Sequence, residues 1–162
     1  LETDEVDVAI TLPHGLHKIP GIRTMNLLSE PYCIVLHANH PLANRTSIHL
    51  RELADEPFII HNRYDSPVGS YDQIVQMCEQ CGFTPRIVNQ PRFIDTVPLL
   101  VEAEMGVAIL PRCMASFASE SLRFVAMEGV DNNRIDLVAA WKGTNTNPTL
   151  PIFLEALRSF LQ

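Results

Sequence analysis

Leu100-Val101-Glu102-Ala103-Glu104-Met105-Gly106-Val107-Ala108-Ile109-Leu110-Pro111 is the stretch on which the fold turns. Asp95 or Thr96 can cap a helix leading into it, with Pro98 tolerated in the first turn, Leu100, Val101 and Glu104 in the body and Gly106 as the stop. Val107 to Leu110 then runs apolar without alternation, as a strand buried on both faces does. Upstream, Phe58-Ile59-Ile60 after Pro57 reads the same way. Between the two, Tyr71, Ile74, Val75, Cys78 and Cys81 fall at helical spacing before Gly82, and Arg86-Ile87-Val88 reads as a further strand. Strand, helix, strand, helix, strand is the rhythm of a parallel sheet with right-handed crossovers, so residues 58–111 are expected to form one compact α/β lobe.

Outside this block the pattern changes. Val6, Val8 and Ile10 alternate with Asp7 and Ala9 as a short strand ending near Thr11. Arg23 to Leu28 and Tyr32 to His37 read as two strands separated by Pro31, and Ile48 to Ala54 as a short helix at best. Leu122 to Met127 and Ile135 to Trp141 are strand-like, joined by Gly129-Val130-Asp131-Asn132-Asn133. Asn147-Pro148 opens a last helix with Leu150, Phe153, Leu154, Leu157 and Leu161 in a stripe that needs a sheet to cover. The economical arrangement returns this part of the chain to the first strands. Lobe one is then residues 1–57 with 129–162, lobe two is 58–128, and the chain crosses between them twice.

The 162 residues suit one domain of two small lobes, and 46% hydrophobic with 19% charged residues describes a chain that folds. A net charge of −7 repels polyanions, so this segment is not expected to grip DNA. No apolar run approaches the roughly 18–20 residues of a membrane helix, and no export signal opens the chain. The address expected is cytoplasmic, with no membrane partner and reduced thiols at Cys33, Cys78, Cys81 and Cys113. The start at Leu1, within a few residues of a strand, reads as a cut from something longer.

Motifs for catalysis are weak. Cys78-Glu79-Gln80-Cys81 has redox or metal spacing, yet both sulfurs continue the apolar stripe of a helix, and buried structural thiols are the better account. His37 and His40 flank a turn without HExxH spacing, and Ser66 and Ser70 lack a G-x-S-x-G elbow. Glycine-rich phosphate loops are absent too. No enzyme, metal site or cofactor is expected. The positions of interest are at the carboxyl ends of strands, where loops of open α/β sheets face ligands. These are Thr11, Asn62, Arg63, Ser66 near the start of a helix, and Arg92, Phe93, Ile94 and Thr96 within the 90–96 segment. Arg63 and Arg92 suit a carboxylate or phosphate, and Phe93 an apolar body. Each taken singly is equally well a solvated loop side chain.

In order along the chain, Glu5-Val6-Asp7-Val8-Ala9-Ile10, His40-Pro41-Leu42-Ala43, Ile48-His49-Leu50-Arg51-Glu52-Leu53, Phe58-Ile59-Ile60 and residues 100–111 resemble the effector-binding domain of LysR-type transcriptional regulators. The resemblance spans essentially the whole chain. It implies a two-lobed α/β fold of the type 2 periplasmic-binding-protein kind, with a small-molecule effector held in the cleft. Equivalents of the 90–96 segment and of the residue after the first strand commonly line that family's pocket. It also implies a homodimer or homotetramer that reaches DNA through an N-terminal helix-turn-helix. That helix-turn-helix and the first strand-helix-strand of lobe one are not in the sequence. The function expected is effector sensing in a bacterial regulator, the effector a small organic anion; the alternative is a periplasmic solute-binding protein of the same fold.

Overall fold

The computed structural model describes residues 1, 5–64 and 70–161. In chain order the elements are β1 (Ala9–Thr11), β2 (Ile22–His37), β3 (Ser47–His49), β4 (Pro57–Ile59), α1 (Ser70–Gln80), β5 (Arg86–Asn89), α2 (Thr96–Glu102), β6 (Ala108–Pro111), β7 (Leu122–Glu128), β8 (Arg134–Lys142) and α3 (Leu150–Phe160). They form two compact units, Leu1–Ser29 with Asp136–Gln162, and Glu30–Ile135.

The larger unit is organised by β4. It pairs in parallel with β5, Pro57 opposite Arg86 and Phe58 opposite Ile87. On its other edge Ile59 N–H donates to the Val107 carbonyl and Val107 N–H to that of Pro57, both at 2.8 Å. The next residues, β6, turn to pair antiparallel with β2, Ile34 opposite Ile109 and Val35 opposite Ala108. β7 also pairs antiparallel with β2, and β3 runs parallel to β7. The layer is therefore mixed. Parallel pairing joins β4 to β5, and β4 meets Val107 through a single parallel bridge.

Both faces of this layer are covered, which explains the unbroken apolar runs. Side chains alternate across a strand. Phe58, Ile60, Ile34, Leu36 and Ile109 face Ile74, Met77 and Cys78 of α1, while Ile59, Val35, Ala108 and Leu110 face Val97 and Val101 of α2. Packing outweighs propensity in α1. Ser, Tyr, Asp, Val and Cys are at best ordinary helix formers, each about 0.4–0.7 kcal/mol poorer than Ala. Burying Ile74 and Met77 contributes about 1.5–3 kcal/mol apiece. Gly82 ends the helix at φ +82°, and the Arg51 guanidinium donates to the Cys81 carbonyl at 2.9 Å.

The smaller unit pairs β1 antiparallel with β8, Thr11 opposite Val138. Asp7 accepts from the side-chain amides of Asn145 at 2.8 Å and Asn147 at 2.9 Å, bonds that hold its carboxyl below the ordinary range. Asn147 Oδ1 in turn accepts from Thr149 N–H at 3.0 Å, so the turn entering α3 is built by side-chain mimicry of backbone. Leu150 and Leu154 are buried, but Phe153 and Leu161 of the expected stripe stay 46% and 43% exposed.

Several boundaries differ from expectation. Pro31 does not break the chain: β2 is one strand, because the ring's fixed φ fits extended backbone and Tyr32 N–H finds the Asn133 carbonyl at 2.8 Å. The segment from Ile48 is β3 followed by a 3₁₀ turn, Leu50–Leu53, that His49 and Glu52 cap. α2 closes at Glu102, leaving Glu104 outside at φ +57°. The unit boundaries fall inside β2 and β8, not at 57/58 and 128/129. Residues 30–57 belong with the larger unit because the second half of β2 carries both β6 and β7, and β3 joins through β7.

Gly106 admits no side chain, since a Cβ there would collide with the Pro57 carbonyl oxygen where β4 meets Val107. Gly106→Ala is expected to destabilise the larger unit by about 1–3 kcal/mol, read as a lowered denaturant midpoint at unchanged slope.

Candidate functional site

At the carboxyl end of β4 the buried run continues one residue past Ile60. His61 is only 2% exposed, and its Nε2 lies 2.7 Å from Oγ of Ser70, the first residue of α1, itself 5% exposed. Burial lowers the imidazole's pKa below its ordinary 6.5, so the ring is held neutral. Its other nitrogen, Nδ1, is buried without a hydrogen-bond partner among the described residues.

The chain then surfaces. Asn62 N–H donates to the Pro91 carbonyl at 2.8 Å, and Ile60 N–H to that of Asn89 at 3.2 Å. These bonds bring the loops after β4 and β5 side by side, so Asn62 and Arg63 adjoin the segment of Arg92 and Phe93. Asn62 Oδ1 accepts from Tyr64 N–H at 2.8 Å, an Asx turn that occupies its acceptor. Arg63 Nη2 is 2.9 Å from Asp72 Oδ1 on α1, and its guanidinium sits 5.9 Å from the Tyr71 ring centre. Both partners of that ion pair are about half exposed, so exchanging Asp72 for another anion costs about 0–1 kcal/mol. Arg92 stacks 5.5 Å from the centre of the Phe93 ring, which is 65% exposed.

Within the larger unit, Ile94 and Thr96 have other surroundings. Ile94 packs into the α2 core and, with Asp95, Leu99, Met114 and Phe117, lines a groove of about 690 Å³. Thr96 opens α2, its N–H bonded to the Phe93 carbonyl at 3.1 Å, while Asp95 makes no side-chain cap. Thr11 ends β1 in the smaller unit. Ser66 lies outside the described residues. His61 and Ser70 as a pair are not in the expected set. Their signal is a histidine placed directly after three buried strand residues, at the strand end that faces ligands.

The remaining candidates are structural. His37, His40 and His49 each accept a backbone N–H two residues on at Nδ1, from Asn39, Leu42 and Arg51. Cys78 and Cys81 are buried and free; burial pushes the Cys78 thiol up to about 12 and raises that of Cys81, whose sulfur bonds to the Gly129 carbonyl. Among the described residues no three His, Cys, Asp or Glu side chains are grouped to hold a metal, and no helix is long and apolar enough to cross a membrane.

Comparison with known proteins agrees with this architecture. Residues 1–162 match the family model described as the LysR substrate binding domain. The chain belongs to that family. Over 156 residues it is 35% identical to the HTH-type transcriptional regulator TtuA of Agrobacterium vitis, covering 94% of this chain and 50% of that protein, so it spans about half of the relative's length. The C-terminal domain of a probable LysR family transcriptional regulator from Rhodococcus sp. RHA1 superposes with a TM-score of 0.84 at 24% identity, over 98% of this chain and 77% of that one. The BenM effector binding domain, solved with its effector benzoate, gives 0.81 at 19% identity, over 99% and 71%. These two structures share the two-lobed α/β fold.

The thiols and the histidine carry separate tests. At pH 8 in native buffer Cys113, the exposed thiol, is expected to react with a disulfide reagent while Cys33, Cys78 and Cys81 react only after unfolding, read by thiol titration. For His61 the sign is set by its lowered pKa. Unfolded chains take up a proton near pH 6.5 that the folded ring resists, so stability held above that pH is lost as pH falls toward the folded value. The melting temperature of the parent should therefore drop between pH 7 and 5 by more than that of His61→Gln.

Proposed function

We propose that this chain is the effector-sensing part of a transcription regulator, and that it takes a small organic anion, a carboxylate, at the carboxyl ends of β4 and β5. The supporting observation is the convergence there of the first turn of α1, Arg63 in an ion pair it can exchange, and a buried imidazole with one nitrogen unmet. Helix N-termini favour anions through unpaired N–H groups and their partial positive charge. A ring such as Phe93, two-thirds exposed beside this point, suits an apolar body attached to the anion. Benzoate, the effector of BenM, has that make-up.

Binding acts on transcription by population. A ligand shifts the chain toward whichever conformation it binds more tightly, by no more than the difference in affinity. The −7 net charge of this segment favours DNA contact through another part of the regulator, a helix-turn-helix of the kind TtuA is named for, with the whole acting as a homodimer or homotetramer in the cytoplasm.

The Ser70–His61 distance of 2.7 Å also favours a second reading, an acyl-transfer enzyme. Against it, among the described residues no carboxylate orients His61 Nδ1, and Ser70 is buried. p-Nitrophenyl acetate turnover lost in Ser70→Ala would favour the enzyme.

The test of sensing is a thermal-shift and calorimetry panel on the full-length polypeptide with benzoate, succinate, glutamate and glucose 6-phosphate. One carboxylate is expected to raise the melting temperature with concentration, by about 2.7 kcal/mol of added stability at a hundredfold excess over Kd. Equal shifts from benzamide and benzoate, or none from any anion, would refute carboxylate sensing.

A further inference from the structure

We infer that Nδ1 of His61 is a direct ligand contact: it donates its proton to an oxygen of the bound carboxylate, and Ser70 is the positioning residue that sets the ring for this. The inference rests on carboxylate sensing as proposed above and names the atom that does the recognising.

His61 is nine-tenths buried and more, yet among the described residues only one of its two nitrogens is satisfied. A buried imidazole nitrogen left unmet costs about 1–3 kcal/mol, and the great majority of buried polar side-chain atoms in native proteins find a partner. The ring cannot turn to escape this. Flipping would set Cε1 where Nε2 now lies and give up the 2.7 Å bond to Ser70. Among the described residues nothing meets Nδ1, which leaves it to a group from outside the chain.

Its place says what. His61 follows a strand that runs parallel to β5, at the end where the loops of both strands meet, and its partner is the first residue of an eleven-residue helix. That environment carries N–H donors and positive potential, so the incoming group is an acceptor bearing negative charge. An acceptor requires Nδ1 to hold the proton. Nε2 then accepts from the Ser70 hydroxyl, which fixes the tautomer as the second hydrogen bond on a functional histidine does. Arg63, two residues on, is paired with Asp72 through Nη2 at 2.9 Å and has further N–H donors for a second oxygen.

Two variants separate the nitrogens. In the full-length protein, with benzoate as probe, His61→Gln sets an amide near Nε2, keeping the Ser70 bond and leaving nothing at Nδ1; its affinity is expected to fall about tenfold or more. His61→Asn sets its amide near Nδ1 and should stay within about threefold of the parent. In the parent itself, the imidazole ¹⁵Nδ1 resonance of His61 should move on adding benzoate, a readout that survives if either variant fails to fold. Benzoate binding that leaves both that resonance and the His61→Gln affinity unchanged would overturn the contact, an enclosed water then meeting Nδ1, while carboxylate sensing itself stands. If the parent binds none of the four probes, sensing and the contact fall together.

Discussion

Everything in the larger unit depends on β4 being bonded along both edges and buried on both faces. Its N–H and carbonyl groups are shared between β5 on one side and Val107 on the other, with α1 and α2 covering above and below. A strand enclosed in this way has no freedom of register, because a slip of one residue would carry Phe58 and Ile60 to the α2 face and Ile59 to that of α1. The end of β4 is consequently a fixed point. His61, Asn62 and Arg63 inherit their positions from it, and the parallel pairing with β5 delivers the 91–93 segment alongside.

The order of strands and helices between residues 58 and 111 was legible because burial on two faces leaves a local mark, a run of apolar residues without polar interruption. Long-range pairing leaves none. Nothing in Ala108-Ile109-Leu110 announces that it bonds antiparallel to β2 while Val107, one residue earlier, bridges in parallel to Phe58. Pro31 was misleading for a related reason: whether a missing N–H matters depends on what lies opposite, and residues a hundred positions away decide that. The unit boundaries inside β2 and β8 were not legible for the same reason, since the claim of β6 and β7 on β2 is not written in β2.

The site was legible in part. Strand-end loops could be located once the strands were, which is why Asn62, Arg63, Arg92 and Phe93 lie close together. Ile94 is drawn instead into the core around Val97 and Val101, a contact that its place in the turn before α2 does not announce. His61 was invisible to motif reading, for a lone histidine has no spacing to recognise. Only burial and a serine nine positions away in sequence give it a role.

One bond at the opposite end of α1 gives that role a reach. The helix is tethered at its first residue to the end of β4, and at its far end the Arg51 guanidinium grips the Cys81 carbonyl. Eleven residues at about 1.5 Å rise make a rod of roughly 16 Å. Hydrogen-bonded turns resist stretching, so a rod fastened at both ends carries an axial push as a unit. Ser70 and Arg51, the latter in the capped turn that follows β3, are thereby joined through a single stiff element.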